Sequence, residues 1–151
     1  MMRLEREEIF PYLKNRPPLF MLGSIDIVPG ESAVSKKFLT NEEWYFSCHF
    51  PGNPMMPGVL QLETLFQTAI MCVKVLPGMA QKLSNITRIK DVSFFSNIRP
   101  ESEITATTRL VRRYRHGIAE AEGEILCNGV VCCKASFVIT IPEDMSFVKS
   151  V

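Results

Sequence analysis

The run GVLQLETLFQTAIMCVKV, residues 58–75, limits the possible folds more than any other stretch of the chain. Pro57 stands before it and Pro77-Gly78 after it, so the spacing predicts one helix from Gly58 to Val75. The apolar part, Val59 to Val75, lies near the lower limit of about 17 residues for a membrane span, and Gln61, Glu63 and Gln67 interrupt it. That favours a helix buried in protein. Being apolar nearly all round, it must be covered on nearly all sides, which a curved antiparallel sheet wrapped about it achieves. The expected class is therefore α+β, one long central helix inside such a sheet.

The rest of the chain supplies strands. LEREEIFPYL is expected to form a short helix that stops near Pro11 or at Pro17-Pro18. LFMLGSIDIV and SAVSKKFL read as strands joined at Pro29-Gly30, a dipeptide suited to a turn. Residues 41–57 are irregular, and beyond residue 82 strand patterns take over. Ile104, Ala106, Thr108 and Leu110 alternate with Glu103, Thr105, Thr107 and Arg109, and Glu120, Glu122 and Glu124 alternate outward in the next strand. A two-residue turn at His116-Gly117 sets Arg113 opposite Glu120 and Arg109 opposite Glu124. At Asn128-Gly129 an odd-length, bulged connection is expected, because it sets Gly123 and Ile125 on the face of Cys133, Ala135 and Phe137.

With 151 residues, no repeat and no linker, the chain is expected to be a single domain over 1–151. A formal charge of +1 gives no global field that would point to nucleic acid. Cys48, Cys72, Cys127, Cys132 and Cys133 are odd in number and lack a CxxC pair, and there are only two histidines, so no zinc site is expected. The cysteines read as free thiols of a cytoplasmic protein, and the charged start MMRLEREEIF does not fit a signal peptide.

Chemistry concentrates in HFPGNPMMPGVLQLE, residues 49–63. Pro51, Pro54 and Pro57 stiffen the loop and hold His49 in place ahead of the helix. Glu63 lies among Val59, Leu60, Leu62, Leu65 and Phe66, where desolvation favours its protonated form and suits it to act as an acid near neutral pH. Glu63, Gln67 and Lys74 form a narrow polar stripe, which periodicity alone places against either solvent or a pocket. Gly58, with Val59 beside it, offers helix N-terminal amides to a carbonyl oxygen that gains charge. A base, a protonated acid and an oxyanion donor are the parts needed for β-elimination next to a thioester. Cys48 beside His49 is not expected to be a nucleophile, since adjacent residues of an extended loop diverge.

These residues resemble the signature of the 3-hydroxyacyl-[acyl-carrier-protein] dehydratases: His49, Phe50, Pro51, Gly52, Pro54, Pro57, Gly58 and Glu63 occupy its fixed positions, and Gln67 matches the helix that follows. EEIFPYLKNRPPLFML and VSFFSNIRP are similar to the family's N-terminal segment and to one of its strands. The resemblance implies a hot-dog fold and a homodimer, with a trimer of dimers as the larger assembly open to it. His49 of one subunit would meet Glu63 of the other, as base and acid, with Gly58 as amide donor and Gln67 orienting Glu63 or the departing water. It also implies an acyl tunnel along the helix and the dimer seam. No metal or nucleotide is implied; the acyl chain would arrive on the phosphopantetheine of an acyl carrier protein. Glu at position 63 is similar to the branch that only dehydrates, although Met56-Pro57 is similar to the branch that also isomerises.

One turn departs from the family. Arg99-Pro100 is followed by Glu101-Ser102-Glu103 in place of Pro-Gly-Asp, which sets the tunnel entry apart and fits a specialised polyene or polyketide system as well as fatty-acid synthesis. Lys90, Arg99, Arg112 and Arg115 are candidates for a basic patch that receives the acidic carrier. Two rivals remain: a hot-dog thioesterase using a helix carboxylate, and a non-catalytic subunit that binds acyl carriers.

Overall fold

The computed structural model describes residues 1–145. Seven antiparallel strands form one sheet around one long helix: β1 (Met2–Glu5), β2 (Ser24–Val28), β3 (Ser32–Leu39), β4 (Asn85–Phe94), β5 (Ser102–Arg115), β6 (Ile118–Cys127) and β7 (Val130–Thr140), in the spatial order β1-β2-β3-β5-β6-β7-β4. A four-residue helix, α1 (Arg6–Ile9), follows β1, and the long helix is α2 (Gly58–Lys74). The sheet wraps α2 as its hydrophobicity requires, since every residue from Gln67 to Lys74 is buried. No helix among the described residues is long and apolar enough to cross a membrane.

Helix and sheet are locked by small and polar side chains. Thr64 and Thr68 hydroxyls donate to the carbonyls of Leu60 and Thr64, and Thr68 Oγ1 meets Ser35 Oγ of β3 at 2.8 Å. Gly123 of β6 lies against Leu65: a Cβ there would stand 2.8 Å from the Thr107 carbonyl oxygen and 3.1 Å from Leu65 Cδ2. The turn between β2 and β3 has Gly30 at φ +72°, as glycine permits, and the Gly30 N–H donates to the Cys72 carbonyl at the far end of α2.

The N-terminal expectation of a single helix is corrected. Residues 2–5 pair with β2, and the helix begins only at Arg6, where Glu5 and Glu8 form a capping box. Leu19–Gly23 precede the strand expected to contain them.

The register of β5 and β6 also differs. The turn does have two residues, but two irregularities in β5 shift the ladder, so Arg109 faces Glu122 and Arg112 faces Glu120. Arg113 instead reaches Glu31, at 2.7 Å. Between β6 and β7 the turn has two residues rather than an odd number. A bulge just beyond it restores the expected match of Ile125 with Cys133 and Gly123 with Ala135.

The polar stripe of α2 is not a solvent face. Gln67 and Lys74 are buried, and the Lys74 amine donates to the carbonyl of Lys82.

Candidate active site

The loop before α2 is built to aim one imidazole. The His49 N–H donates to the Tyr45 carbonyl at 2.9 Å, and its own carbonyl accepts the Met55 N–H at 2.8 Å. Its ring Nδ1 lies 2.8 Å from the Met55 carbonyl oxygen, which can only accept, so Nδ1 carries a hydrogen and in the neutral ring the lone pair is on Nε2, which has no partner among the described residues. The imidazole is thus set in the tautomer that a general base requires. Phe50 and Asn53 exchange two backbone hydrogen bonds across Pro51-Gly52, and Gly52 at φ +72° closes that turn. Arg99 braces the loop from below, donating to Asn53 Oδ1 at 2.8 Å and to the Pro54 carbonyl at 3.1 Å.

Glu63 lies one turn inside α2, half buried. Burial pushes its carboxyl above the usual carboxylate range, and the hydrogen bond from Gln67 opposes this only in part. Gln67 Nε2 donates to Glu63 Oε1 at 2.9 Å and to the Leu19 carbonyl at 2.9 Å, while its Oε1 accepts the Met21 N–H at 2.9 Å. A backbone donor on one side and a backbone acceptor on the other fix the amide's orientation. Asn15 Nδ2 approaches the same Glu63 oxygen at 3.3 Å.

At the start of α2, Leu60 and Gln61 close on the Pro57 carbonyl. The N–H groups of Gly58 and Val59 come before them and have no acceptor among the described residues. Phe94 leans over this end: a Cβ on Gly58 would stand 2.8 Å from its ring. Val59, Phe94 and Phe95 are 71%, 51% and 60% exposed, so a continuous apolar strip runs from the helix start onto the edge strand β4.

Within one chain His49 and Glu63 are held by separate partners, and neither lines a hollow of about 640 Å³ or a second of about 300 Å³ among the described residues. The larger hollow lies over the outer face of the sheet, beside Thr107, Glu122 and Lys134.

The basic candidates scatter. Lys90 and Arg112 both pair with Glu120, Arg99 is committed to the histidine loop, and Arg115 ends β5. The Cys48 thiol donates to backbone carbonyls behind the loop. The unusual turn after Arg99 is held by its own residues: Glu101 sits at φ +57°, its N–H donates to the Leu39 carbonyl, and its carboxylate accepts the Asn41 N–H at 3.0 Å.

Asn15 and Phe94 escaped the sequence reading. Asn15 precedes Arg16-Pro17-Pro18, and nothing in that tripeptide's turn chemistry points forty-eight residues onward to Glu63. The signal for Phe94 was the glycine opposite it, a place where a ring approaches backbone.

A lone helix sheathed by a curved antiparallel sheet defines a hot-dog domain. Solved structures that share it include the dehydratase heterocomplex ApeI:P of Xenorhabdus doucetiae, with a TM-score of 0.73 at 16% identity over 89% of this chain and 90% of that one, and the PaaI protein of E. coli, with 0.59 at 13% over 77% and 82%. The FabA-like domain family matches residues 13–136, and the chain belongs to that family. Among its curated relatives is 3-hydroxyacyl-[acyl-carrier-protein] dehydratase FabZ of Chloroflexus aggregans, 33% identical over 141 residues, covering 93% of this chain and 97% of the relative. The protein of the same name from Lactiplantibacillus plantarum is 34% identical over 134 residues, covering 88% of each.

Proposed function

We propose that the protein is a dehydratase that converts 3-hydroxyacyl-[acyl-carrier-protein] to the trans-2-enoyl thioester and water in fatty-acid biosynthesis. The observation that carries this reading is the fixed His49 tautomer, with Nε2 free, in a chain whose helix acid Glu63 is held toward its protonated form. His49 Nε2 removes the α-proton of the substrate. The electron pair passes through an enolate, whose thioester oxygen the Gly58 and Val59 amides stabilise, and forms the Cα–Cβ double bond. The Cβ–O bond breaks as Glu63 gives its proton to the departing hydroxyl, which leaves as water. The histidine proton returns to Glu63 by exchange with solvent, so atoms and charge balance. The elimination is redox-neutral, and one base and one acid complete it with no cofactor beyond the phosphopantetheine arm of the substrate.

The site is shared by two subunits of a homodimer. β4 is an edge strand carrying exposed Ile89 and Phe94, and this strip joins the exposed Val59 on α2. Such an edge is stabilised by pairing with its own copy about a twofold axis. Edge-to-edge pairing sets the start of each α2 at the seam and brings His49 of one subunit to Glu63 of the other. The acyl chain then lies in an apolar tunnel along that seam, and the acidic carrier docks at its mouth; of the four basic candidates, Arg115 alone has no side-chain partner among the described residues. The fold and the bacterial relatives fit a cytoplasmic location.

Incubating the purified protein with 3-hydroxyacyl thioesters of graded length tests the reading. A gain in enoyl-thioester absorbance, reversible from the enoyl side and lost in His49→Ala and Glu63→Gln, supports it. Release of free thiol instead would assign a thioesterase, and carrier binding without turnover would assign a non-catalytic subunit.

A further inference from the structure

Two amide donors converge on one oxygen of Glu63. Gln67 Nε2 approaches Oε1 at 2.9 Å from within the helix, and Asn15 Nδ2 approaches the same atom at 3.3 Å from the N-terminal segment. An oxygen that accepts two N–H groups does not carry the proton, so the acidic hydrogen is placed on Oε2. We infer that Asn15 is a positioning residue of the elimination, which fixes the Glu63 carboxyl so that Oε2–H faces the leaving hydroxyl. This rests on the dehydratase reading above.

Asn15 is itself held in place. The Arg16 guanidinium donates to the carbonyls of Leu13 at 2.7 Å, Asn15 at 2.8 Å and Phe10 at 3.3 Å, and lies 4.9 Å from the centre of the Phe10 ring. The turn of residues 10–16 is therefore tied to its own arginine, and the Asn15 amide is presented from a braced backbone. On its other side Asn15 lines the hollow of about 300 Å³ with Lys14, Lys74 and Lys82. The Lys82 amine is paired with Asp144, the Lys74 amine is bound to the Lys82 carbonyl, and Glu143 accepts the Leu83 N–H beyond them. Asn15 thus stands between the acid and three ammonium groups, and it meets the acid with a neutral donor.

The sign of its effect on the acid follows from which form it contacts. An N–H donated to the carboxyl oxygen favours the charged form, so removing it raises the pKa of Glu63. An aspartate in its place raises it further by like-charge repulsion. The acid works while protonated, so both changes move the alkaline limb of the kcat/KM profile upward.

The test compares wild type, Glu63→Gln, Asn15→Ala and Asn15→Asp in the absorbance assay between pH 6 and 10, with circular dichroism as the check of folding. The expected result is a loss of about tenfold in kcat for Asn15→Ala with KM nearly unchanged, as for one lost hydrogen bond to a charged or ionising group. The alkaline limb moves up in both Asn15 variants, further in Asn15→Asp. Folded variants with an unmoved limb overturn the positioning role and leave Asn15 a structural residue, even where kcat falls. If Asn15→Ala fails to fold, the isosteric Asn15→Asp decides alone by the same limb. A wild type that does not dehydrate, or an active Glu63→Gln, defeats the dehydratase reading instead and is distinguished by those two proteins alone.

Discussion

Replacing Gln67 by methionine keeps the volume of a buried side chain while removing three hydrogen bonds at once, those to the Leu19 carbonyl, the Met21 N–H and Glu63. Gln67 is 1% exposed, so no water takes over inside the helix packing. The Met21 N–H is left buried and unpaired, at about 1–3 kcal/mol. The Leu19 carbonyl, nearer the surface, adds a smaller loss, for a total of about 3 kcal/mol. With a urea slope of about 2 kcal/mol per molar, the unfolding midpoint falls by about 1.5 M. The assay is equilibrium urea unfolding by far-ultraviolet circular dichroism, at one protein concentration because the stability of the proposed homodimer would depend on it. A midpoint within about 0.3 M of wild type would refute the reasoning, since it would mean that the 19–21 segment is not anchored through this amide.

Three other perturbations follow from the same packing. Glu63 has its folded-state pKa raised, so between the unfolded and folded values the native state binds more protons and stability falls as pH rises through that window. Glu63→Gln removes this penalty: by thermal unfolding it is more stable than wild type at pH 8, and the advantage shrinks toward pH 4. An advantage that grows as the pH is lowered would contradict the assignment. Gly123→Ala drives a methyl against the Thr107 backbone carbonyl and destabilises by about 1–3 kcal/mol. Gly58→Ala meets first the half-exposed Phe94 ring, a side chain that can turn aside where a backbone carbonyl cannot, so it stays folded while turnover drops. Equal melting temperatures for the two alanine variants would show that the sheet does not touch the helix where described.

The helix Gly58–Lys74 was legible because it is apolar nearly all round and prolines bracket it, and β5 and β6 because each alternates. The β5–β6 register was not, because the irregularities lie between Leu110 and Arg115, where residues 111–113 are all exposed and carry no inward-outward pattern to fix a partner. The segment before Pro11 misled in a similar way: glutamates favour a helix, whereas pairing of Met2–Glu5 with β2 decides the outcome. Of the candidate site, His49, Glu63 and Gln67 were legible from spacing and burial. The atoms that orient them were not, since Met55, Met21 and Leu19 act through their backbones and Asn15 comes from a distant turn. The glutamate that Lys90 and Arg112 share was not legible either, because a side chain's charge in the sequence does not reveal its partner across the sheet.

Subunit complementation tests the proposed shared site most directly. His49→Ala and Glu63→Gln, each inactive alone, are refolded together so that mixed dimers form. If base and acid come from opposite subunits, each mixed dimer contains one doubly damaged site and one intact site. Dehydration then returns to about a quarter of the wild-type rate, by random pairing of the two chains about the twofold axis. A mixture that forms mixed dimers and stays inactive would show that each chain must supply both groups to its own site.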